Sequence, residues 1–154
     1  MSDAQSSEKE NMQIQNTSLV ETEKECIRSI MLDPESPTRW NALALVYMIT
    51  GKTKLAEEAI KNSLELNTSN AMTWRIWGDL LMGIGQNIES ERIYRMSLEL
   101  DPTQIVTMHR LVQLLIKRKA YPEAMDVLER LVVLSPNDQK VWDAYSICIG
   151  HMIQ

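Results

Sequence analysis

The stretch WNALALVYMITG at residues 40–51 decides the fold, because WRIWGDLLMGIG at residues 74–85 repeats its pattern of side-chain sizes 34 positions later (74 − 40). Met108 and Trp142 keep that interval, since 108 − 74 and 142 − 108 are also 34. Other positions repeat in phase with them. Ala44 and Gly78 are small, with Val112 and Ser146 at the matching places. Ala56, Ser90 and Ala124 form a second series, and Ile60, Tyr94 and Leu128 a third. Pro34, Pro102 and Pro136 form a fourth, with Thr68 in place of the remaining proline. A period of this length marks stacked helical pairs, each unable to bury its apolar face without a neighbour.

Local signals divide the period into helices. Leu19, Cys26, Ile27, Ile30 and Met31 recur at helical spacing, and Asp33-Pro34 ends that helix because proline disfavours helical geometry in the residue before it. Pro37 suits a first helical turn. After it, Trp40, Leu43, Ala44 and Tyr47 share one face, and Gly51 supplies a left-handed C-terminal residue. A second helix from Lys54 buries Ala56, Ala59, Ile60 and Leu64. The scheme returns as Ala71–Ile84 with Ile88–Leu100, and as Ile105–Arg118 with Pro122–Leu134. Gly85 matches Gly51, but Lys119 takes that place in the third unit, a costlier choice for a left-handed backbone.

Residues 1–16 are polar, with Met12 and Ile14 the only sizeable apolar residues after Met1, and are expected to form a flexible tail, disordered or weakly helical. The repeat domain then runs over 17–154: a half repeat at 17–36, full repeats at 37–70, 71–104 and 105–138, and a terminal helix at 139–154. The tryptophans are expected as buried packing residues. Ala44, Gly78, Ala56 and Ala124 are expected where the two helices of a pair come closest.

Composition narrows the function. A net charge of −5 and a pI near 5.1 argue against nucleic-acid binding, which relies on basic contacts to phosphate. Cys26 and Cys148 lack metal or redox spacing and read as reduced thiols. The N-terminal residues have no apolar signal region, and no apolar run approaches the roughly 20 residues of a membrane span. A soluble cytoplasmic protein is expected. Gly83-Ile84-Gly85 is a helix end without the Lys-Ser/Thr of a phosphate loop. His109 and His151 have no cysteine or carboxylate at metal or triad spacing. The expectation is a protein that is not an enzyme and holds no cofactor or metal.

The repeated residues resemble the tetratricopeptide repeat family. Its pattern sets Trp, Leu, Gly or Ala, Tyr, a small residue, a large aliphatic or aromatic, Ala and Pro within 34 positions. The first unit here reads Trp40, Leu43, Ala44, Tyr47, Ala56, Ile60, Ser63 and Thr68. The second reads Trp74, Trp77, Gly78, Leu81, Ser90, Tyr94, Ser97 and Pro102. The third reads Met108, Leu111, Val112, Leu115, Ala124, Leu128, Leu131 and Pro136, departing at Val112 and Leu131 where small residues belong. The resemblance implies an all-α, right-handed α-solenoid of three full repeats plus a helix at each end. It also implies a non-catalytic protein–protein interaction module. Such a module holds a peptide or helix of a partner in a concave groove, as an adaptor, co-chaperone or assembly factor.

The family's groove positions fall on Asn41, Leu45, Met48 and Ile49 in the first unit and on Met72, Arg75, Asp79 and Met82 in the second. The third contributes Val106, His109, Arg110, Gln113, Ile116 and Lys117, and the terminal helix Lys140, Asp143 and Ile147. Many are apolar, and contiguous apolar residues on an open face mark a partner surface. Met48, Met72 and Met82 suit a surface that adapts to different side chains. Arg75, His109, Arg110 and Lys117 would orient acidic groups of the ligand. The subclass that clamps a chaperone's terminal carboxylate is disfavoured. Asn41 and Leu45 stand where it needs Lys and Asn, Ile76 replaces its second Asn, Val106 replaces a Lys, and only Arg110 agrees.

Two features remain open. Lys117-Arg118-Lys119, with His109 and Arg110 nearby, is the densest positive patch. It reads either as a solvated helix end complementing the dipole or as a contact for an acidic segment. Ile147, Ile149, Met152 and Ile153 leave the last helix apolar on more than one side. Repeat arrays normally present polar outer faces at their ends. The competing reading is therefore a self-assembling scaffold, a homo-oligomer stacked through its terminal helices, or a piece of a longer array.

Overall fold

The computed structural model describes residues 2–153 and contains eight α-helices, with no strand among the described residues. They fall into two compact units. The first, Met1–Thr68, holds α1 (Ser2–Leu32), α2 (Pro37–Ile49) and α3 (Thr53–Leu66). The second, Ser69–Gln154, holds α4 (Ala71–Gly83), α5 (Asn87–Leu100), α6 (Ile105–Lys117), α7 (Tyr121–Leu134) and α8 (Gln139–Met152). Within each unit, helices consecutive in the chain pack on one another, and α6 also meets α8.

Three phase-matched turns hold the pairs together. The amide of Gly51 donates to the Met48 carbonyl at 3.2 Å and that of Lys52 to Tyr47 at 2.8 Å. Gly85 and Gln86 repeat this onto Met82 and Leu81 at 3.1 and 2.9 Å, and Lys119 and Ala120 onto Ile116 and Leu115 at 2.9 and 2.8 Å. This paired bonding satisfies helix-end carbonyls and requires a left-handed residue between them. Gly51 (φ 71°), Gly85 (φ 83°) and Lys119 (φ 61°) are those residues. Lys119 is the positive-φ residue that is not glycine among those described.

At Gly78 the helices approach closely where a small residue predicts it, and the small residues of the other pairs are buried. Ala44, Ala56 and Ala124 are fully buried. A Cβ on Gly78 would stand 2.5 Å from Cε1 of the Tyr94 ring, so the α4–α5 crossing admits no side chain there. Ser90 donates its hydroxyl to the Gly78 carbonyl at 2.8 Å and ties the two helices at that point. In the third repeat, Val112 and Leu131 are buried as well, so the larger residues are packed in place of small ones.

One expectation is corrected. The tryptophans are not the buried elements of the series. Trp40 and Trp74 are half-buried and Trp142 is 44% exposed, whereas Met108, at the position without an indole, is 0% exposed. An indole at this place lies over the edge of its pair, and its Nε1 needs a polar partner that a closed core lacks. The unbranched methionine is apolar throughout and fits inside. The stretch expected as a disordered or weakly helical tail has helical backbone, with α1 starting at Ser2. No proline or glycine interrupts residues 2–32, and Glu, Gln, Lys and Met favour the helix. Side chains from Asn11 to Ser18 nevertheless stand in solvent. Packing begins at Leu19, and Leu19, Glu23, Cys26 and Ile30 form the covered face. Ile27 and Met31 are exposed on the other side.

Candidate partner-binding surface

Each unit carries part of the expected groove set. On α2, Asn41 is buried and does not line an open surface. One residue past Trp40, it lies about 100° further around the helix and turns inward. Leu45 and Met48 are half-buried, and Ile49 is exposed at the helix end.

The second unit gathers most of the remaining residues. A cleft of about 720 Å³ runs between α6 and α8. Val106, His109, Arg110, Gln113 and Ile116 line it from α6, and Lys140, Asp143 and Ile147 from α8. Val106 and Ile147 are exposed within it, while Ile116 packs partly against the core. Ala144 and Asp138 also line the cleft, although the repeat pattern singled out neither. A shallower depression of about 440 Å³ brings Met72 and Arg75 of α4 beside Gln104 and Val106. Met82 belongs to the interior more than to the surface. It is half-buried against the core, with its sulfur 3.9 Å from the Tyr94 hydroxyl.

Asp79 organises the charges of this face. Its Oδ2 accepts from Arg75 Nη1 at 2.6 Å, the reach of residues four apart on one helix. Its Oδ1 accepts from the Tyr94 hydroxyl at 2.6 Å. Arg110 Nε lies 3.3 Å from the same oxygen, an ion pair across helices without hydrogen-bond geometry. Burial, reinforced by the Asp79 carboxylate, pushes the Tyr94 phenol well above its ordinary value. Arg75 and Arg110 are thus engaged within the chain, and the cluster carries one net positive charge in place of two.

His109 departs from expectation. Its Nε2 lies 3.0 Å from Asp138 Oδ2, a carboxylate 29 residues away in sequence. Asp138 is the N-cap of α8, its other oxygen accepting from the Lys140 amide at 2.9 Å. The approach of the start of α8 to α6 creates the pair, and no sequence spacing signals it. His151 stacks on Tyr121, with ring centroids 4.6 Å apart. The cleft is therefore charge-balanced: Arg110 and Lys140 face Asp138 and Asp143, around apolar Val106, Ala144 and Ile147.

The basic cluster at the end of α6 does not join this surface. Lys117 lies with Ile88, Glu91 and Leu114 on a different side of the unit. Arg118 contacts Glu91 at 3.2 Å and Glu123 at 3.0 Å, and Arg95 contacts the same two carboxylates at 3.0 and 2.7 Å. Four alternating charges close a network across α5, α6 and α7, so Arg118 is neutralised where it stands. Among the described residues, no group of three His, Cys, Asp or Glu is arranged to hold a metal, and no helix is long and apolar enough to cross a membrane.

Residues 37–70 match the family model described as tetratricopeptide repeat. No curated protein matches the chain by sequence. Solved structures do match it. The structure of MamA aligns with a TM-score of 0.75 at 14% identity, covering 92% of this chain and 82% of that one. PilF of Pseudomonas aeruginosa aligns with a TM-score of 0.78 at 19% identity, over 90% of this chain and 64% of that one. The TPR domain of Arabidopsis OM64 aligns with a TM-score of 0.68 at 14% identity, over 76% of this chain and 97% of that domain. At these identities the likeness is one of fold.

Proposed function

Starting from a tetratricopeptide repeat at residues 37–70 and the fold of such repeats, we propose that this chain is a non-catalytic protein–protein interaction module. It takes a peptide or helix of a partner along the α6–α8 cleft, acting as an adaptor, co-chaperone or assembly factor in the cytoplasm. The observation that carries the reading is the convergence of exposed Val106 and Ile147 from two helices onto one cleft with alternating charges at its rim. Exposed apolar side chains framed by polar ones are the usual anatomy of a recognition site.

The internal ion pairs favour a less acidic ligand than the sequence suggests. With Arg75 and Arg110 held by Asp79 and His109 by Asp138, the cleft offers no concentrated positive field. Apolar anchors supply the affinity and paired charges set the register, a division common to protein interfaces. Met72 extends the apolar surface on α4, and Leu45 and Met48 offer a second, smaller one on α2.

The test places a photo-crosslinking amino acid at Gln113, exposed in the cleft, and identifies the protein captured in cells. The double substitution Val106→Glu with Ile147→Glu should abolish that crosslink with helicity and melting unchanged. Ile88→Glu, on an exposed residue outside the cleft, should leave it intact. Capture that survives the double substitution removes the cleft from the function.

A further inference from the structure

Among the described residues, a face of α8 and a face of α1 lack the partner helix that the complete pairs have. In each complete pair, the first helix presents four residues to its second helix; on α6 these are Met108, Leu111, Val112 and Leu115, all buried. The phase-matched residues of α8 are Trp142, Tyr145, Ser146 and Ile149. Among the described residues no second helix covers them. Trp142, Ser146 and Ile149 are exposed and Tyr145 is half-buried. This face is distinct from the cleft side of α8, which carries Lys140, Asp143 and Ile147.

The converse holds for α1. It stands in register with the second helices α3, α5 and α7. In α3 the residues turned to the first helix are Ala56, Ile60 and Ser63, all fully buried, and so are their counterparts in α5 and α7. The phase-matched residues of α1 are Thr22, Cys26 and Ser29; Thr22 and Ser29 are small like Ala56 and Ser63, and Cys26 is smaller than the Ile60, Tyr94 and Leu128 it matches. Thr22 is exposed and the other two are half-buried. The serine has a specific use. Ser63 donates its hydroxyl to the carbonyl of Pro37, and Ser97 to that of Ala71, each the first residue of the paired helix. Ser29 has the same place, and the corresponding acceptor on α8 is the Gln139 carbonyl.

We infer that α1 of a second copy docks on the open face of α8, as α3 docks on α2, joining copies head to tail. The occupant follows from continuity with the pairings α2–α3, α4–α5 and α6–α7, whose register the two open faces keep, with Trp142 in phase with Trp40 and Trp74 and Ser29 in phase with Ser63 and Ser97. A symmetric α8–α8 contact has no counterpart in the chain. The antiparallel approach sends the residues ahead of Leu19 past the end of α8, so the length of α1 is no obstacle. One residue opposes the contact. Glu25 stands where Ala59, Ile93 and Val127 are buried in the complete pairs, and burying its carboxylate weakens the association.

Sedimentation of the whole chain across a wide concentration range tests this. The mass should rise with concentration, because a head-to-tail contact repeats from copy to copy. Glu25→Ala should tighten association about tenfold or more, equivalent to about 1.4 kcal/mol. Ser146→Glu with Ile149→Glu on α8, or Thr22→Glu on α1, should each give a monomer, since these exposed positions leave the fold intact. An equimolar mixture of the two variants retains one good α8 face and one good α1 face, and should form a dimer that grows no further. A monomer at every concentration, for both the natural chain and Glu25→Ala, overturns the inference. So does self-association of either blocked variant alone, which would mean a symmetric contact.

Discussion

The indole Nε1 of Trp142 donates to the carbonyl oxygen of Pro136 at 2.7 Å, across the turn that leads into its own helix. Trp40 makes the same bond to Pro34 at 2.9 Å, three periods earlier in the chain. The tryptophan therefore fastens the loop that ends the preceding helix to the helix that follows, and its apolar body is only partly covered. Trp40→Phe, which keeps most of the apolar contact and loses the bond, should cost about 1 kcal/mol in urea denaturation. Met108→Ala, at the buried position of the series, should cost about 2–5 kcal/mol. A larger loss for Trp40→Phe than for Met108→Ala would restore the tryptophan as the core residue.

Gly78 and Gly83 lie on the same helix and should respond oppositely to alanine. At Gly78 the new Cβ meets the Tyr94 ring at 2.5 Å, and overpacking of this kind costs about 1–3 kcal/mol. Around Gly83 nothing lies within 4 Å, so alanine there relieves the entropic cost of glycine and adds about 0.5–1 kcal/mol. In a double-mutant cycle, Gly78→Ala should cost less in a Tyr94→Leu background than in the natural chain, which isolates the ring as the cause.

The sequence carried the architecture because its punctuation is local. Pro37, Gly51 and Gly85 fix helix ends through backbone geometry that no distant residue changes, and the 34-residue interval ties them to a stacking unit. The start of α1 was less legible, because residues 2–18 have helix-forming composition without an apolar stripe. Size periodicity also located Trp142 without fixing its exposure, which depends on what covers α8. The candidate surface was legible as a set of positions, and its charge state was not. His109–Asp138 and Arg110–Asp79 join residues from different helices, and Asn41 turned out to be buried for a reason of helix rotation. Pairings of that kind arise only when the elements are assembled.

Lys119 is the place where the third repeat departs from the turn chemistry of the first two. Its φ of 61° is a glycine conformation occupied by a residue with a Cβ. That strain is worth about 1–2 kcal/mol. Lys119→Gly should raise the unfolding free energy by up to about 1 kcal/mol, after the added freedom of glycine in the unfolded chain is subtracted. Gly51→Ala and Gly85→Ala should lower it by about 1 kcal/mol, because alanine meets the same penalty there. An unchanged midpoint for Lys119→Gly would mean that the lysine side chain offsets the strain through contacts of its own.

The Tyr94–Asp79 pair predicts an alkaline limb in the stability profile. The folded chain holds the Tyr94 proton more tightly than the unfolded chain, whose phenol titrates at its ordinary value near 10. The stabilisation is therefore complete below that value and declines as the pH rises above it, because the unfolded state gains by ionising first. Tyr94→Phe should cost about 1–3 kcal/mol at neutral pH by leaving Asp79 without its phenol partner. It should also flatten the decline above pH 10 relative to the natural chain. Chemical denaturation of both proteins from neutral to strongly alkaline pH separates the two effects. Parallel profiles would place the alkaline loss elsewhere in the chain.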